Sequence, residues 1–336
     1  MNKNQYLALF KEHTKDPVWC PGCGDFAELT VWRQALSELA AEDAEMHLGL
    51  QLGDVPELAE LEILTKLCYA CDEAKREGPH YFPRYEPHTV VTDSGIGCAG
   101  QAFAYINTVG VKTTHGRVLP AALGLKIARP DLTVIPQGGD GDAFAIGGGH
   151  FANFGFNVDI TYLITNNEVY GLTKGQVSPS SSPNLVTGVN PRGPVRVPVN
   201  PVLLALGAGW TFIARLANVG KMKDGFDTSR FSIDVVKKAI RHRGASVIVF
   251  ETECPTYNKM KTREWLLEHI TPIPESHNLA SAKSAAILAL EENYIPFGIY
   301  YQVRRSTLHE RFGIVKPLFN LRPDMKQVQK FMEQFM

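Results

Sequence analysis

The chain has 336 residues, 44% apolar and 21% charged, an ordinary globular composition able to bury one large core or two medium ones. A formal net charge of -1 and no dense Lys/Arg stripe argue against nucleic acid as a partner. The stretch Met1 to Cys20 lacks a signal-peptide core, and the longest apolar run, Pro201 to Ala214, is too short for a bilayer span. A soluble, cytoplasmic protein without membrane contact is expected.

Cys20-Pro-Gly-Cys23 comes first along the chain. Six cysteines in such a chain read better as metal ligands or free thiols than as disulfides. A CxxC with a tight turn lets two sulfurs reach one metal centre, and alone it fits a zinc site or a redox dithiol equally well. Residues 26–40 then show helical spacing, with Phe26, Leu29, Trp32, Leu36 and Leu39 on one side. The block 41–88 is more charged, ends in the loop-like GPHYFPRYEPH, and reads as a helical insertion. Its second CxxC, Cys68 and Cys71, has i, i+3 spacing on a predicted helix, which puts both thiols on one face without any metal.

From residue 89 the pattern changes. HTVVTDSGIGC, a helix over Leu119 to Ala128, LTVIPQGGDGD, a Gly-rich helix start and DITYLITNN follow one another. Strand and helix alternate as in an α/β fold with a mainly parallel sheet and helices on both faces. Residues 178–200 read as a Ser/Pro-rich irregular crossing. A helix near Ser232 to Arg241, a strand ASVIVFET and Cys254 complete a last α/β unit. From Glu275 the chain reads as a tail packing on something else; 1–310 is taken as one domain and 311–336 as the tail proper.

Two strand ends carry the chemistry. Gly139-Asp140-Gly141 closes one and Asn166-Asn167 closes the next, and open α/β sheets bind ligands beyond the carboxyl ends of their strands. Asp140 and Asn167 are hard oxygen donors suited to Mg2+, and the glycines at 138, 139 and 141 would let backbone approach a diphosphate. The pair resembles the signature of thiamine-diphosphate enzymes; the competing reading is a glycine-rich turn with no ligand.

The wider motifs are WCPGCGDF, SGIGC at 94–98, HGRVLPAALGLKIARPD at 115–131, QGGDGDAFAIGGGHF and NNEVYGLTKGQVSP. From about Asp16 to Glu310, interrupted by the 41–88 block, they closely resemble the beta subunit of 2-oxoacid:ferredoxin oxidoreductases. The resemblance implies a thiamine-diphosphate-binding fold with one [4Fe–4S] cluster on Cys20, Cys23, Cys98 and Cys254. It implies Mg2+ on Asp140, Asn167 and the carbonyl of Val169. Thiamine diphosphate would be contacted by Ile96, Gly97, Cys98 and Ala99, by His115, by Gly141 and Asp142, and by Gly171 and Leu172.

The implied reaction is oxidative decarboxylation of a 2-oxoacid to acyl-CoA and CO2, with electrons passing singly through the cluster to ferredoxin, or the reverse carboxylation. Only the diphosphate-binding domain is visible, so an alpha subunit is implied to supply the pyrimidine-binding domain and most coenzyme A contacts, in an (αβ)2 assembly. Relatives accepting 2-oxoglutarate tend to carry lysine where Lys174 stands, and pyruvate-specific ones glycine; an ammonium there suits a distal carboxylate. The expected substrate is 2-oxoglutarate. The alternatives are a pyruvate or broad-range 2-oxoacid enzyme, or a cluster-free thiamine-dependent decarboxylase subunit. Two positions depart from the family pattern: Glu253 stands where proline often precedes the last cysteine, and Gln101 where some relatives carry a second lysine. His150, Trp19, Trp32 and Trp210 read as structural, and the charged face around 221–243 as solvated helix.

Overall fold

A computed structural model describes residues 2–12, 14–48, 84–314, 329 and 333; Cys68, Cys71, most of the 41–88 block and most of 311–336 lie outside the described residues. The main sheet has eight strands: β1 (Val90–Ser94), β2 (Val109–Lys112), β3 (Thr133–Gly139), β4 (Ile160–Asn166), β7 (Phe212–Leu216), β8 (Ala245–Glu251), β9 (Ile270–Pro272) and β10 (Ile295–Gln302). Their order is β2-β1-β3-β4-β8-β7-β10-β9, and every pairing except β10 with β7 is parallel. β5 (Val169–Tyr170) and β6 (Gln176–Val177) form a separate small hairpin. The central strands β4 and β8 are buried at every position, as a parallel sheet covered on both faces requires.

On one face lie α1 (Lys3–Leu9), α2 (Asp25–Leu48) and α6 (Thr228–Arg241), with Trp32, Leu36 and Phe250 fully buried among them. On the other lie α3 (Val118–Ala128), α4 (Gly148–Ala152), α5 (Pro201–Gly207) and α8 (Ala282–Ala289), around Trp210 stacked on Phe151 and Phe154. α7 (Arg263–His269) and α9 (Leu308–Phe312) complete the described helices. None of them is long and apolar enough to cross a membrane.

Three expectations are corrected. Helix α2 runs on past residue 40 to Leu48, so the predicted insertion opens as a continuation of it; Leu29, Trp32, Leu36 and Leu39 are buried while Phe26 is partly exposed. The charged face of α6 is not simply solvated, because Arg230 and Lys237 pair with Glu38 and Arg241 with Glu42, joining α6 to α2. The chain after Glu275 is not a tail as far as residue 310. β10 lies antiparallel to β7 with Phe297 and Tyr300 buried, and it covers the edge that β7 would otherwise present.

The strand order fixes where a ligand can sit. β1 leads outward to β2, whereas β3 leads the other way to β4. The gap beyond the carboxyl ends of β1 and β3 is therefore a switch point, the ordinary binding crevice of such sheets. Beneath it lies an acid: Glu28, from the first turn of α2, accepts from Gln137 Nε2 on β3 (3.3 Å) and Thr165 Oγ1 on β4 (2.5 Å). Burial, then the neighbouring Asp25 carboxyl, push Glu28 up to about 8 from the ordinary 4.5. The folded state thus binds a proton that the unfolded chain has released, and this contribution is full below about pH 4.5 and is lost as pH rises through about 8. Denaturation across this window should show Glu28→Gln losing less stability than the parent, by on the order of 3 kcal/mol between about pH 5 and 8. Parallel pH profiles for the two proteins would contradict the buried neutral acid.

Candidate active site

Register brings the two motif ends together. Gly139 pairs with Thr165 across β3 and β4, so Asp140 and Asn166-Asn167 leave the sheet side by side. Asp140 is buried, and its Oδ2 accepts from the hydroxyls of Ser178 (2.6 Å) and Ser180 (2.7 Å) while Oδ1 accepts from Gly141 N (2.9 Å). Burial pushes its carboxyl up and these hydrogen bonds oppose the rise. Carboxylate lone pairs remain for a cation. Asn166 turns the other way, donating to Glu251 Oε2 and accepting from Ser180, so Asn167 is the asparagine that reaches the crevice.

The turn after Asn167 is held from beneath. Glu168 sits at φ +63, a left-handed conformation that a non-glycine residue adopts only when its surroundings hold it. Lys261 Nζ reaches Glu168 Oε1 (3.1 Å), Glu251 Oε2 (2.5 Å) and Asn166 O (2.7 Å), and Asn258 Nδ2 donates to Asn167 O (3.1 Å). Burial alone would neutralise Lys261, but Glu168 and Glu251 raise its pKa and keep the ammonium charged. The segment after Cys254 thereby braces the turn that carries Asn167 and Val169.

One cavity gathers most of the predicted site. Asp140, Asn167 and Val169 form one wall, Ile96 to Ala99 with His115 a second, and Gly141, Asp142, Gly171 and Leu172 the remainder. A Cβ at Gly97 would meet nothing within 4 Å, so this glycine faces open space, and Gly139 is nearly as free. Gly138 serves a different purpose, since a Cβ there would come 2.9 Å from Asp142 Oδ2 and 3.1 Å from the Tyr162 hydroxyl. Gly95 likewise clears room for Asp142, and Gly141 lies flat against the Tyr170 ring. Lys112 Nζ clasps the carbonyls of Gly95 and Gly100 and closes the loop between them. Leu172 is 49% exposed at the cavity.

Two of the cysteines meet at Gly171 of the cavity lining. A Cβ on Gly171 would lie 3.3 Å from Cys98 Sγ and 3.8 Å from Cys254 Sγ, so these two sulfurs flank one point. Cys23 N donates to Cys20 O (3.0 Å) in a turn that Gly22 makes at φ +75. Gly24 lets this turn lie directly on the end of β8, where a side chain would strike Thr252. All four thiols are free. Burial, then the Asp25 carboxyl and the neighbouring sulfurs, push the Cys98 thiol up to about 12, and Cys23 rises for the same reasons. Burial also raises Cys254, against the pull of the backbone N–H groups of Tyr257, Thr256 and Asn258. Crowded thiols of this kind are relieved by a cationic centre, which deprotonates them on binding. Among the described residues no three His, Cys, Asp or Glu side chains close on the single point that one ion requires. A cubane has four irons, each taking one thiolate, and the four free cysteines match that number.

Lys174 lies apart from this gathering. It is exposed on the turn between β5 and β6 at φ +83, where glycine is the unstrained residue, beside Leu172 and Thr173 of the cavity rim. The sequence reading missed Ser178, Ser180, Asn258 and Lys261. The serines carry no periodic signal, and only the reversal at the β5–β6 hairpin carries them back to Asp140. Trp19, read as structural, donates Nε1–H to Cys98 O (2.9 Å) and so steadies a cysteine loop.

Residues 95–250 match the family model of the thiamine pyrophosphate enzyme C-terminal TPP binding domain. Residues 254–317 match that of the C-terminal part of pyruvate ferredoxin oxidoreductase beta subunits. The 2-oxoacid:ferredoxin oxidoreductase subunit beta of Saccharolobus solfataricus is 33% identical over 329 residues, covering 93% of this chain and 91% of the relative. The 2-oxoglutarate oxidoreductase subunit KorB of Mycobacterium tuberculosis is 36% identical over 252 residues, 74% of this chain and 53% of its own. A solved 2-oxoglutarate:ferredoxin oxidoreductase from Magnetococcus marinus, with 2-oxoglutarate, coenzyme A and succinyl-CoA bound, superimposes with a TM-score of 0.75 at 28% identity. That match covers 98% of this chain and 96% of that one. With a third of its residues shared along nearly the whole length of such a relative, the chain belongs to the beta subunits of 2-oxoacid:ferredoxin oxidoreductases.

Proposed function

We propose that the chain carries thiamine diphosphate, Mg2+ and one [4Fe–4S] cluster, works with an alpha subunit, and prefers 2-oxoglutarate among the 2-oxoacids. The observation that carries this reading is the shared wall. Cys98 lines the cavity with Asp140 and Asn167, and its sulfur and that of Cys254 both lie close to Gly171 of the same lining. Thiamine diphosphate supplies the carbanion that attacks a ketone carbon, and the cluster supplies a one-electron acceptor.

The chain's own residues do the rest. Asp140, Asn167 and the Val169 carbonyl are the oxygen donors for Mg2+, with Ser178 and Ser180 orienting the carboxylate. Gly97 and Gly139 leave backbone open to a diphosphate. Cys20, Cys23, Cys98 and Cys254 are the cluster ligands. Coenzyme A and ferredoxin would be met in the assembled enzyme, with the alpha subunit bringing the pyrimidine-binding domain.

Replacing Cys20, Cys23, Cys98 or Cys254 by Ala should remove the iron and the brown absorption of anaerobically purified protein, whereas Cys68→Ala and Cys71→Ala should retain both. Equal iron loss in Cys68→Ala would overturn the ligand set. Asp140→Ala should abolish Mg2+-dependent thiamine diphosphate binding by calorimetry, and unchanged affinity would move the metal elsewhere.

The substrate rests on Lys174. Lys174 is exposed on the turn that follows Leu172 and Thr173 of the cavity rim, on a backbone that glycine would relax. Lys174→Gly should stabilise the fold slightly, by about 1 kcal/mol. It should raise KM for 2-oxoglutarate roughly tenfold or more, the worth of one charge-assisted bond, and leave pyruvate and 2-oxobutyrate within about twofold. Equal losses on all three substrates would remove the support for 2-oxoglutarate.

A further inference from the structure

Asp142, the second aspartate of the Gly-Asp-Gly-Asp run, does more than line the cavity. It is 2% exposed, and its Oδ1 receives three donors: His115 Nδ1 (2.5 Å), Gly116 N (2.8 Å) and Ile96 N (3.3 Å). An oxygen that accepts two backbone N–H groups is a carboxylate oxygen without a proton of its own, so the imidazole must be the donor. The His115 proton therefore sits on Nδ1. In the neutral ring this leaves Nε2 as the acceptor, and the ring lines the cavity that gathers the thiamine-motif residues. Two glycines exist in this arrangement for the carboxylate: a Cβ at Gly95 would fall 2.3 Å from Asp142 Oδ2, and one at Gly138 2.9 Å. The Tyr170 ring meets the imidazole edge-on, with centroids 6.3 Å apart, and limits its swing.

We propose that Asp142 and His115 form a dyad in which Asp142 is a positioning residue, fixing the His115 tautomer so that Nε2 faces the cavity as its proton-transfer atom. A proton taken from a hydroxyl or amino group of the bound molecules goes to Nε2. The imidazolium so formed is stabilised by the adjacent carboxylate, and the same proton returns from Nε2 to the departing product. No other reactant is needed. A carboxylate that only orients and offsets charge in this way contributes through the histidine, not by taking the proton.

The tautomer can be read in the full chain alone. Long-range 15N–1H correlation of the histidine rings at about pH 8 should show His115 protonated on Nδ1 and bare on Nε2. The signal is assigned by its loss in His115→Gln. A wild-type ring protonated on Nε2 overturns the dyad, and that outcome does not depend on any Asp142 variant folding.

The second arm rests on the proposed 2-oxoacid reading. In the enzyme assembled with its alpha subunit, His115→Gln and Asp142→Asn should each lower kcat about 10- to 100-fold. KM should change less than about threefold, and the double variant should be no slower than the slower single one. Losses that multiply, or a rise in KM with kcat intact, would make Asp142 a loop brace and overturn the proposal. A wild-type assembly that turns over no 2-oxoacid would sink the functional reading, while the tautomer would still decide the dyad.

Discussion

One buried ammonium ties the two halves of the site together. Lys261 Nζ is bonded to the end of β4 at Asn166 O, to the end of β8 at Glu251, and to Glu168 in the turn that carries Asn167 and Val169. It lies on the same short segment as Cys254, so the Asn167–Val169 turn and the last cysteine are parts of one braced unit. A lone buried charge would cost several kcal/mol; here two carboxylates and a carbonyl compensate it. Arg215 adds to this by pairing with Glu251 from β7 (3.1 Å). The strained backbone at Glu168 persists because this network holds its side chain.

The consequence is proximity without overlap. An added carbon on Gly171, which lines the cavity, would touch the sulfurs of both Cys98 and Cys254. Cys98 belongs to both sides: its carbonyl accepts from Trp19, its loop is closed by Lys112, and its residue lines the cavity. Separate sets of donors, hard oxygens on one side and thiols on the other, are thus held on adjacent loops of a single rigid sheet. In the proposed reaction an electron leaving the cavity would pass to sulfurs that lie against Gly171 of its lining.

The parallel α/β sheet was legible because its strands are unbroken apolar runs ending in glycine or asparagine, and such runs mean burial on both faces. Asp140 and Asn167 stand out in the same way, as polar donors where apolar strands stop, and the register brings these two ends side by side. β10 was not: a short helix and one strand after a proline-rich stretch look like an appendage until β7 is seen to need a partner on its edge. Ser178 and Ser180 were hidden in a segment that reads as linker, because what gives them a purpose is a hairpin reversal and not a periodicity. Asp142 entered through the family resemblance, as a thiamine diphosphate contact, and its hydrogen bond to His115 leaves no mark in local spacing. Gly138 was assigned to the diphosphate and in fact makes room for Asp142 and Tyr162.

The most direct test of this account is electron transfer within the assembled enzyme. Anaerobic enzyme, reconstituted with iron, sulfide, thiamine diphosphate and Mg2+, is mixed with 2-oxoglutarate in the absence of ferredoxin and followed by visible absorption and electron paramagnetic resonance. Electrons released in the cavity should bleach the brown absorption and produce the signal of a reduced [4Fe–4S] cluster. Release of CO2 with the cluster spectrum unchanged would contradict the shared wall as the route between the two centres.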